Sequence, residues 1–272
     1  MCIGRNGVVI IGEHILESES TAWLPGRVLE LGLVACSGIT HLPEFITFAS
    51  SHLQSCKLRY CDDMEWIITS GWSTFPNLEC LQIDGLSKLN NLCKGIPEEG
   101  TLANLLVLRV HACNGLRTFL SIVLVKNLKN LEEIVIEDCK RVEEIIGDGT
   151  GNEEWTVILP RLCKLRLSSL PKLISIYSEV MICDSLSTIE VLECPELKTL
   201  PFFMEIRVAL IHSLKQIKGS RKWCEELKKS YPDCIRLLHS LFREEPQSSA
   251  TYLNFEADWH SNASSNSSFG PR

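Results

Sequence analysis

The stretch Leu131-Glu-Glu-Ile134-Val-Ile136-Glu-Asp-Cys139-Lys-Arg-Val142-Glu-Glu-Ile145 carries apolar residues at offsets 0, 3, 5, 8, 11 and 14 from Leu131. Its middle part, Ile134 and Ile136, alternates with period two, which predicts a short strand that turns one face to a core. The later apolar residues are three apart, a spacing that suits a wide turn or a short helical segment. The stretch therefore predicts a strand followed by a segment that returns along the opposite side of a core.

The same apolar template recurs along most of the chain. Its copies begin at Val28, Leu53, Leu78, Leu105, Leu131, Leu162 and Leu186, with steps of 25, 25, 27, 26, 31 and 24 residues. This is the leucine-rich-repeat pattern L-x-x-L-x-L-x-x-N/C-x-L, stretched by one position after the Cys. We therefore predict an α/β fold, a leucine-rich-repeat solenoid (horseshoe) with a parallel sheet on the concave face. Irregular turns and short helices are expected on the convex face.

The template divides the chain into a repeat array and its flanks. Residues 28–202 hold the seven repeats, and each strand is expected to span offsets 3 to 5 of its template. Residues 1–27 form an N-terminal flank or partial repeat, in which Val8-Val-Ile-Ile11 is a candidate strand. Residues 246–272 are rich in Ser and Asn with little aliphatic content, which predicts a disordered tail.

A helix is predicted within residues 203–245, where the repeat pattern stops. Ser220 is a candidate N-cap, and Trp223, Leu227 and Tyr231 follow at intervals of four, as on one face of an amphipathic helix. A solenoid needs a cap over the hydrophobic layer of its terminal repeat. We therefore expect this segment to be a C-terminal cap that contains a helix.

Cysteines recur at one position of the template. The chain has 13 of them, an odd number, and five share that position: Cys36, Cys61, Cys113, Cys139 and Cys194. A cysteine repeated at a fixed point of a stack is typical of a packing residue, because a thiol is easily buried and can donate weakly to a backbone carbonyl of the adjoining turn. We expect these thiols to be buried and reduced, in a cytosolic or nuclear compartment.

Composition and motifs argue against several classes of function. The net charge of −7 speaks against general nucleic-acid binding, and no apolar segment approaches the ~20 residues of a membrane span. The sequence has no phosphate-binding, dinucleotide-binding, serine-hydrolase or zinc-protease motif, and no Cys pair with zinc spacing. We therefore expect no enzyme activity, no cofactor and no metal.

The residues at offsets 2, 4 and 6 of each predicted strand point away from the core. They vary widely in charge and size between repeats, whereas the core positions keep their type. Five of them form a basic zone, interrupted by Glu133, Glu137 and Asp138: Lys57, Arg59, Arg109, His111 and Arg166. The zone predicts a binding surface for an acidic patch of a protein partner. The alternative is ordinary solvated positions that pair across neighbouring repeats.

Several segments resemble a single family. They are Thr74-Phe-Pro-Asn-Leu-Glu-Cys-Leu81, the C-x-x-V-E-E-I-I form that starts at Cys139, Leu159-Pro-Arg-Leu-Cys-Lys-Leu-Arg-Leu-Ser-Ser-Leu-Pro-Lys-Leu173 and Glu193-Cys-Pro-Glu-Leu-Lys-Thr-Leu-Pro201. Roughly residues 28–235 resemble the C-terminal leucine-rich-repeat region of plant intracellular disease-resistance proteins of the coiled-coil, nucleotide-binding type. The nucleotide-binding domain and the coiled coil of that family are not found in this sequence.

The resemblance implies a cytoplasmic immune-receptor module that binds protein in the defence response. Its partner would be a pathogen effector, a guarded host protein, or the nucleotide-binding domain of the parent receptor, which the repeats hold inactive. One alternative is a leucine-rich-repeat substrate adaptor in ubiquitin ligation, although no F-box-like helical segment precedes residue 28. Another is an extracellular receptor ectodomain, whose repeated G-x-I-P turns are echoed only once, at Gly95-Ile-Pro97.

Overall fold

The computed structural model describes residues 2–3, 8–12, 28–42, 51–70, 75–147, 156–203 and 213–245. Strands dominate these residues. In chain order they are β1 Cys2–Ile3, β2 Val8–Gly12, β3 Glu30–Val34, β4 Ser55–Arg59, β5 Trp66–Thr69, β6 Cys80–Asp84, β7 Asn91–Lys94, β8 Val107–His111, β9 Thr118–Ser121, β10 Glu133–Glu137, β11 Glu144–Gly147, β12 Val157–Ile158, β13 Lys164–Ser168, β14 Met181–Ile182, β15 Thr188–Leu192, β16 Gln216–Gly219 and β17 Phe242–Glu244. The α-helices of the described residues are α1 Ile122–Val125, α2 Arg221–Ser230 and α3 Ile235–Leu241, and Pro201–Phe203 and Pro232–Cys234 are short 3-10 helices.

One main sheet runs through the described part of the chain, in the order β1-β2-β3-β4-β6-β8-β10-β13-β15-β16-β17. Strand β1 is antiparallel to β2, and the other neighbours are parallel. All seven predicted repeat strands lie in this sheet, in unbroken succession from β3 to β15. Equal template positions stand side by side, as when Ile134 pairs with Leu108 and with Leu165. The predicted leucine-rich-repeat solenoid is therefore confirmed.

The core consists of the side chains at the apolar positions of the repeat template. In the repeat that begins at Leu131, the side chains of Ile134, Ile136, Val142 and Ile145 are all 1% exposed or less. Burying one such aliphatic side chain stabilises the fold by roughly 1.5–3 kcal/mol. Each repeat contributes a layer of this kind, and the layers join into one continuous hydrophobic cluster.

Each main-sheet strand from β3 to β15 ends in a left-handed turn. The residue that follows the strand has a positive φ in every repeat: Ala35, Tyr60, Gly85, Ala112, Asp138, Ser169 and Glu193. In the first six of these turns the N–H donates to the last carbonyl of the next strand, as from Ala112 N to Glu137 O at 3.1 Å. The turn therefore extends the ladder of hydrogen bonds between repeats by one step.

The five repeated cysteines come directly after this turn, and all are buried free thiols. The thiol of Cys139 lies 3.3 Å from the carbonyl of Glu137, two residues back, and the other four make the same contact: Cys36, Cys61, Cys113 and Cys194. The acceptor common to all five is thus the end of their own strand, and Cys36 Sγ also lies 3.5 Å from Ile11 O of the neighbouring strand. The left-handed residue between strand and cysteine brings each thiol close to that carbonyl.

The return side of the repeats carries more strand than expected. Besides turns and the one-turn helix α1, it holds three two-stranded parallel sheets, β5–β7, β9–β11 and β12–β14. The sequence analysis predicted only turns and short helices there, because apolar residues three apart do not distinguish a short strand from a turn.

The main sheet continues beyond residue 202 into the segment predicted as a cap. Strand β16 is in register with β15, and β17 with β16. Helix α2 follows β16, and its N-cap Ser220 accepts a hydrogen bond from Trp223 N at 3.2 Å. The indole of Trp223 donates to Leu197 O at 2.7 Å, which ties the helix to the last predicted repeat. The predicted tail, residues 246–272, lies outside the described residues.

Candidate functional site

The outer face of the main sheet, which points away from the core, carries all five predicted binding residues. Strand alternation places them there, because the residues beside them on each strand enter the core. Lys57 and Arg59 lie on β4, Arg109 and His111 on β8, and Arg166 on β13. Strands β6 and β10 separate the three groups, so the five residues share a face without being immediate neighbours.

Asp84 on β6 joins the groups on β4 and β8. Its Oδ2 lies 2.9 Å from Arg59 Nε, and its Oδ1 lies 2.8 Å from His111 Nδ1. The hydrogen bond to Asp84 is the largest cause that raises the pKa of His111, while burial acts in the opposite direction. One carboxylate thus holds two of the predicted residues from neighbouring strands.

Glu133 on β10 likewise contacts two cations, one on each neighbouring strand. Its Oε1 lies 3.6 Å from Arg109 Nη2 and 3.2 Å from Lys164 Nζ. The side chains of Arg109 and Glu133 are 20% and 17% exposed, so this contact is partly open to solvent.

Arg166 shows the reverse arrangement, in which one cation contacts two carboxylates. Its Nε donates to Glu137 Oε1 at 2.6 Å, and its Nη1 lies 2.9 Å from Glu190 Oε1. All three residues are buried, with exposures between 5% and 8%. Because one guanidinium faces two carboxylates, this cluster carries a formal charge of −1.

The outer face therefore has two parts. In the open half, formed by the outward residues of β4, β6 and β8, most side chains are only partly buried. In the closed half, formed by those of β10, β13 and β15, the middle and last outward positions are buried. There even Val135, which lies between Arg109 and Arg166 in the sheet register, has no exposed surface.

The predicted basic zone is thus a chain of alternating charges rather than a positive patch. Glu133 and Glu137 were recognised from the sequence as interruptions of the zone, whereas Asp84, Glu190 and Lys164, which complete the ion pairs, were not assigned to it. The signal was available, because Asp84 occupies the same template offset as Arg59 and His111. The burial of each ion pair cannot be determined from the sequence alone.

Tyr60 is a further residue of this face that the sequence analysis missed. It is the left-handed residue after β4 and is 49% exposed. The guanidinium of Arg59 lies over its ring, 4.8 Å from the centroid. Cation–π contacts of this length are attractive, so Arg59 helps to fix the orientation of the ring.

The described residues show no arrangement for metal binding, since no three His, Cys, Asp or Glu side chains among them could hold an ion. The twelve cysteines with described side chains are free thiols. Burial raises the pKa of Cys139 and of Cys194 to about 12, which keeps both protonated and unreactive at neutral pH. Within the described ranges, no helix combines the length and apolar character that crossing a membrane requires.

These features define a leucine-rich-repeat protein with a charged outer sheet face. A family model described as "Plant disease resistance protein RPS2-like, leucine-rich repeats" matches residues 49–140 and 77–218. The two matches together span more than half of the chain, so the chain belongs to this family.

Individual relatives come from Arabidopsis thaliana. The chain is 29% identical over 212 residues to "Probable disease resistance protein At4g27220", a match that covers 72% of the chain and 22% of that relative. It is 28% identical over 247 residues to "Disease resistance protein At4g27190", covering 84% of the chain and 24% of the relative. It is 33% identical over 113 residues to "Disease resistance protein SUMM2", covering 41% and 12%. The chain therefore spans less than a quarter of the length of these relatives.

Proposed function

We propose that this chain is a cytoplasmic protein-recognition module that acts in plant defence and catalyses no reaction. Its partner is a pathogen effector, a guarded host protein or the nucleotide-binding domain of a parent receptor. Family membership supports the defence context, and the names of the relatives point to the same process. The recognition role rests on the outer face.

The observation that carries the proposal is the way the charged side chains of the outer face are held. Arg59 and His111 share Asp84, and Arg109 and Lys164 share Glu133. Long cationic side chains lose conformational entropy when a partner immobilises them. Here part of that loss has already occurred on folding, so a partner meets side chains that are close to their bound orientation.

An acidic surface is the partner chemistry that this arrangement favours. Lys57 and Arg59 lie on β4 and Arg109 on β8, two alternate strands of the open half, where solvent still reaches them. Charges that are partly exposed steer association and set the register of a complex. Arg166 belongs to the same predicted set, but because it is buried, it stabilises the outer face rather than contacting the partner.

The test is a double charge reversal, Lys57→Glu with Arg109→Glu, in a receptor that carries this chain and its nucleotide-binding domain. Arg166 is left intact because Arg166→Glu would place three buried carboxylates together and unfold the protein. The matched control is Arg117→Glu with Arg161→Glu, which makes the same change of charge at exposed positions of other surfaces.

We expect the outer-face variant to lose binding to its partner or to trigger the defence response without a pathogen. The control variant should behave as the wild type. Equal thermal stability of both variants would show that folding is intact. A folded outer-face variant with unchanged partner binding and unchanged autoinhibition would show that the predicted residues are only solvated surface.

A further inference from the structure

Tyr60 occupies a backbone position that disfavours a bulky side chain. The equivalent residue in the other repeats is Ala, Gly, Asp, Ser or Glu, whereas Tyr60 places an aromatic ring there at φ +53°. Left-handed backbone is costly for residues other than Gly, and bulky residues in it are genuine outliers. The other repeats share this left-handed backbone, so the bulky aromatic side chain is what distinguishes Tyr60.

The surroundings of Tyr60 make room for the ring and hold it. A Cβ on Gly85 would lie 2.4 Å from Tyr60 Cδ1, so the ring needs glycine at that position of the next repeat. Arg59 lies over the ring, and its Nη2 donates to the phenolic oxygen at 3.3 Å. The ring is therefore positioned from two directions, yet half of its residue surface still faces solvent.

The hydrogen bond from Arg59 decides which partner chemistry suits Tyr60. An arginine side chain has only donors, so the phenolic oxygen is the acceptor in this bond and its own O–H is not used there. A carboxylate that accepts from Tyr60 would also lie within the field of Arg59 and Lys57, which are on the adjoining strand β4.

We infer that Tyr60 is a contact residue for the protein partner and donates a hydrogen bond to an acidic side chain of it. This inference rests on the proposed function, because it adds an aromatic anchor to the same recognition face. Tyrosine and arginine are the residue types that dominate binding energy at protein interfaces. A ring held in place on a strained backbone contributes there without a large loss of side-chain entropy.

The experiment measures binding of the 272-residue chain to an acetylated eight-residue peptide of alternating Glu and Ala by isothermal titration calorimetry. A peptide of alternating Gln and Ala is the uncharged reference. Tyr60→Phe removes only the hydroxyl, and Tyr60→Gly removes the ring together with the backbone strain. Ile96→Ala is the control, because Ile96 is an apolar side chain that is 76% exposed and lies off the sheet.

We expect the wild type to prefer the acidic peptide, Tyr60→Phe to weaken that binding about threefold and Tyr60→Gly about tenfold. Ile96→Ala should leave it unchanged. The Tm of Tyr60→Gly should not fall below that of the wild type, because the strained residue becomes glycine.

Other outcomes overturn the inference in distinguishable ways. If both Tyr60 variants bind as the wild type does while Lys57→Glu with Arg109→Glu weakens binding, the role of Tyr60 is wrong and the proposed face stands. If Tyr60→Gly loses binding only together with a lower Tm and Tyr60→Phe loses none, Tyr60 is structural. If the wild type shows no preference for the acidic peptide, both the inference and the acidic-partner proposal fail.

Discussion

The two halves of the outer face use the same kind of ion pair in different surroundings. In the open half, Asp84 holds Arg59 and His111 with side chains that are about one-fifth exposed on the cationic side. In the closed half, Glu137 and Glu190 hold Arg166 with side-chain exposures of 10% or less. Solvent reaches the cations of the first set, whereas Asp84 itself and all three members of the second set are largely buried.

The sequence does not distinguish the ion pairs of the two halves, but their difference in burial indicates different roles. Partly exposed pairs contribute little to stability but keep charges in place for a partner. In a buried pair, the attraction between the two charges offsets a large desolvation cost. Removing one partner therefore leaves the other charge buried and uncompensated. This contrast supports our proposal that the open half serves recognition and that the closed half mainly stabilises the fold.

The largest effect should come from Arg166→Ala in the closed half. It leaves Glu137 and Glu190 buried together without a cation, which should lower the free energy of unfolding by about 3–5 kcal/mol. The open-half counterpart, Arg59→Ala, should cost about 1 kcal/mol or less, because Asp84 keeps its hydrogen bond with His111. Urea unfolding of both variants measures the two losses.

A double variant tests the cause of that loss. If the penalty comes from buried carboxylates, Arg166→Ala with Glu190→Ala should be less destabilised than the two single losses added together. Equal costs for Arg166→Ala and Arg59→Ala would remove the distinction between the halves.

A smaller effect is expected for an apolar residue of the same face. Val135→Ala removes two buried methyl groups from the closed half and should cost about 2 kcal/mol. Gln82 holds the same template offset on β6 in the open half, and Gln82→Ala should change stability by less than about 0.5 kcal/mol. Thermal unfolding of both variants checks this contrast, and a neutral Val135→Ala would show that the closed half is not packed.

The repeat strands and the buried cysteines could be predicted from the sequence because both depend on apolar periodicity. Leu81 and Ile83, for example, occupy template positions that have one physical solution, a strand with its inner face in a core. The left-handed turns could not be predicted, since only Gly85 among the seven residues at that position signals positive φ. Tyr60 was missed for the same reason.

The ion pairs of the outer face could be predicted from the sequence only in part. Which residues are neighbours follows from the template, because equal offsets are in register, as for Asp84 and His111. Whether a pair is buried depends on the side chains of several strands at once, and no single segment encodes that. The outward orientation of the five predicted residues therefore followed from the sequence, while the division of the outer face into two halves required the structure.

The smallest effect concerns pH and belongs to the open half. The hydrogen bond with Asp84 is the main cause that raises the pKa of His111 above its ordinary value of 6.5, and the charges of Asp138 and Glu137 act in the same direction. A raised folded-state pKa means that the protonated imidazole stabilises the native state. This contribution is fully present below the unfolded pKa and is lost as pH rises through the folded pKa.

His111→Gln should therefore cost more stability at about pH 5.5 than at about pH 8.5, by less than about 1 kcal/mol. Urea unfolding of the wild type and the variant at both pH values measures the difference. In an Asp84→Asn background the pH dependence of that difference should largely disappear, because the main partner of the imidazolium is gone. Arg166→Ala provides the contrast, since a guanidinium keeps its charge across this range. A loss for His111→Gln that grows toward high pH would reverse the assigned role of the Asp84 contact.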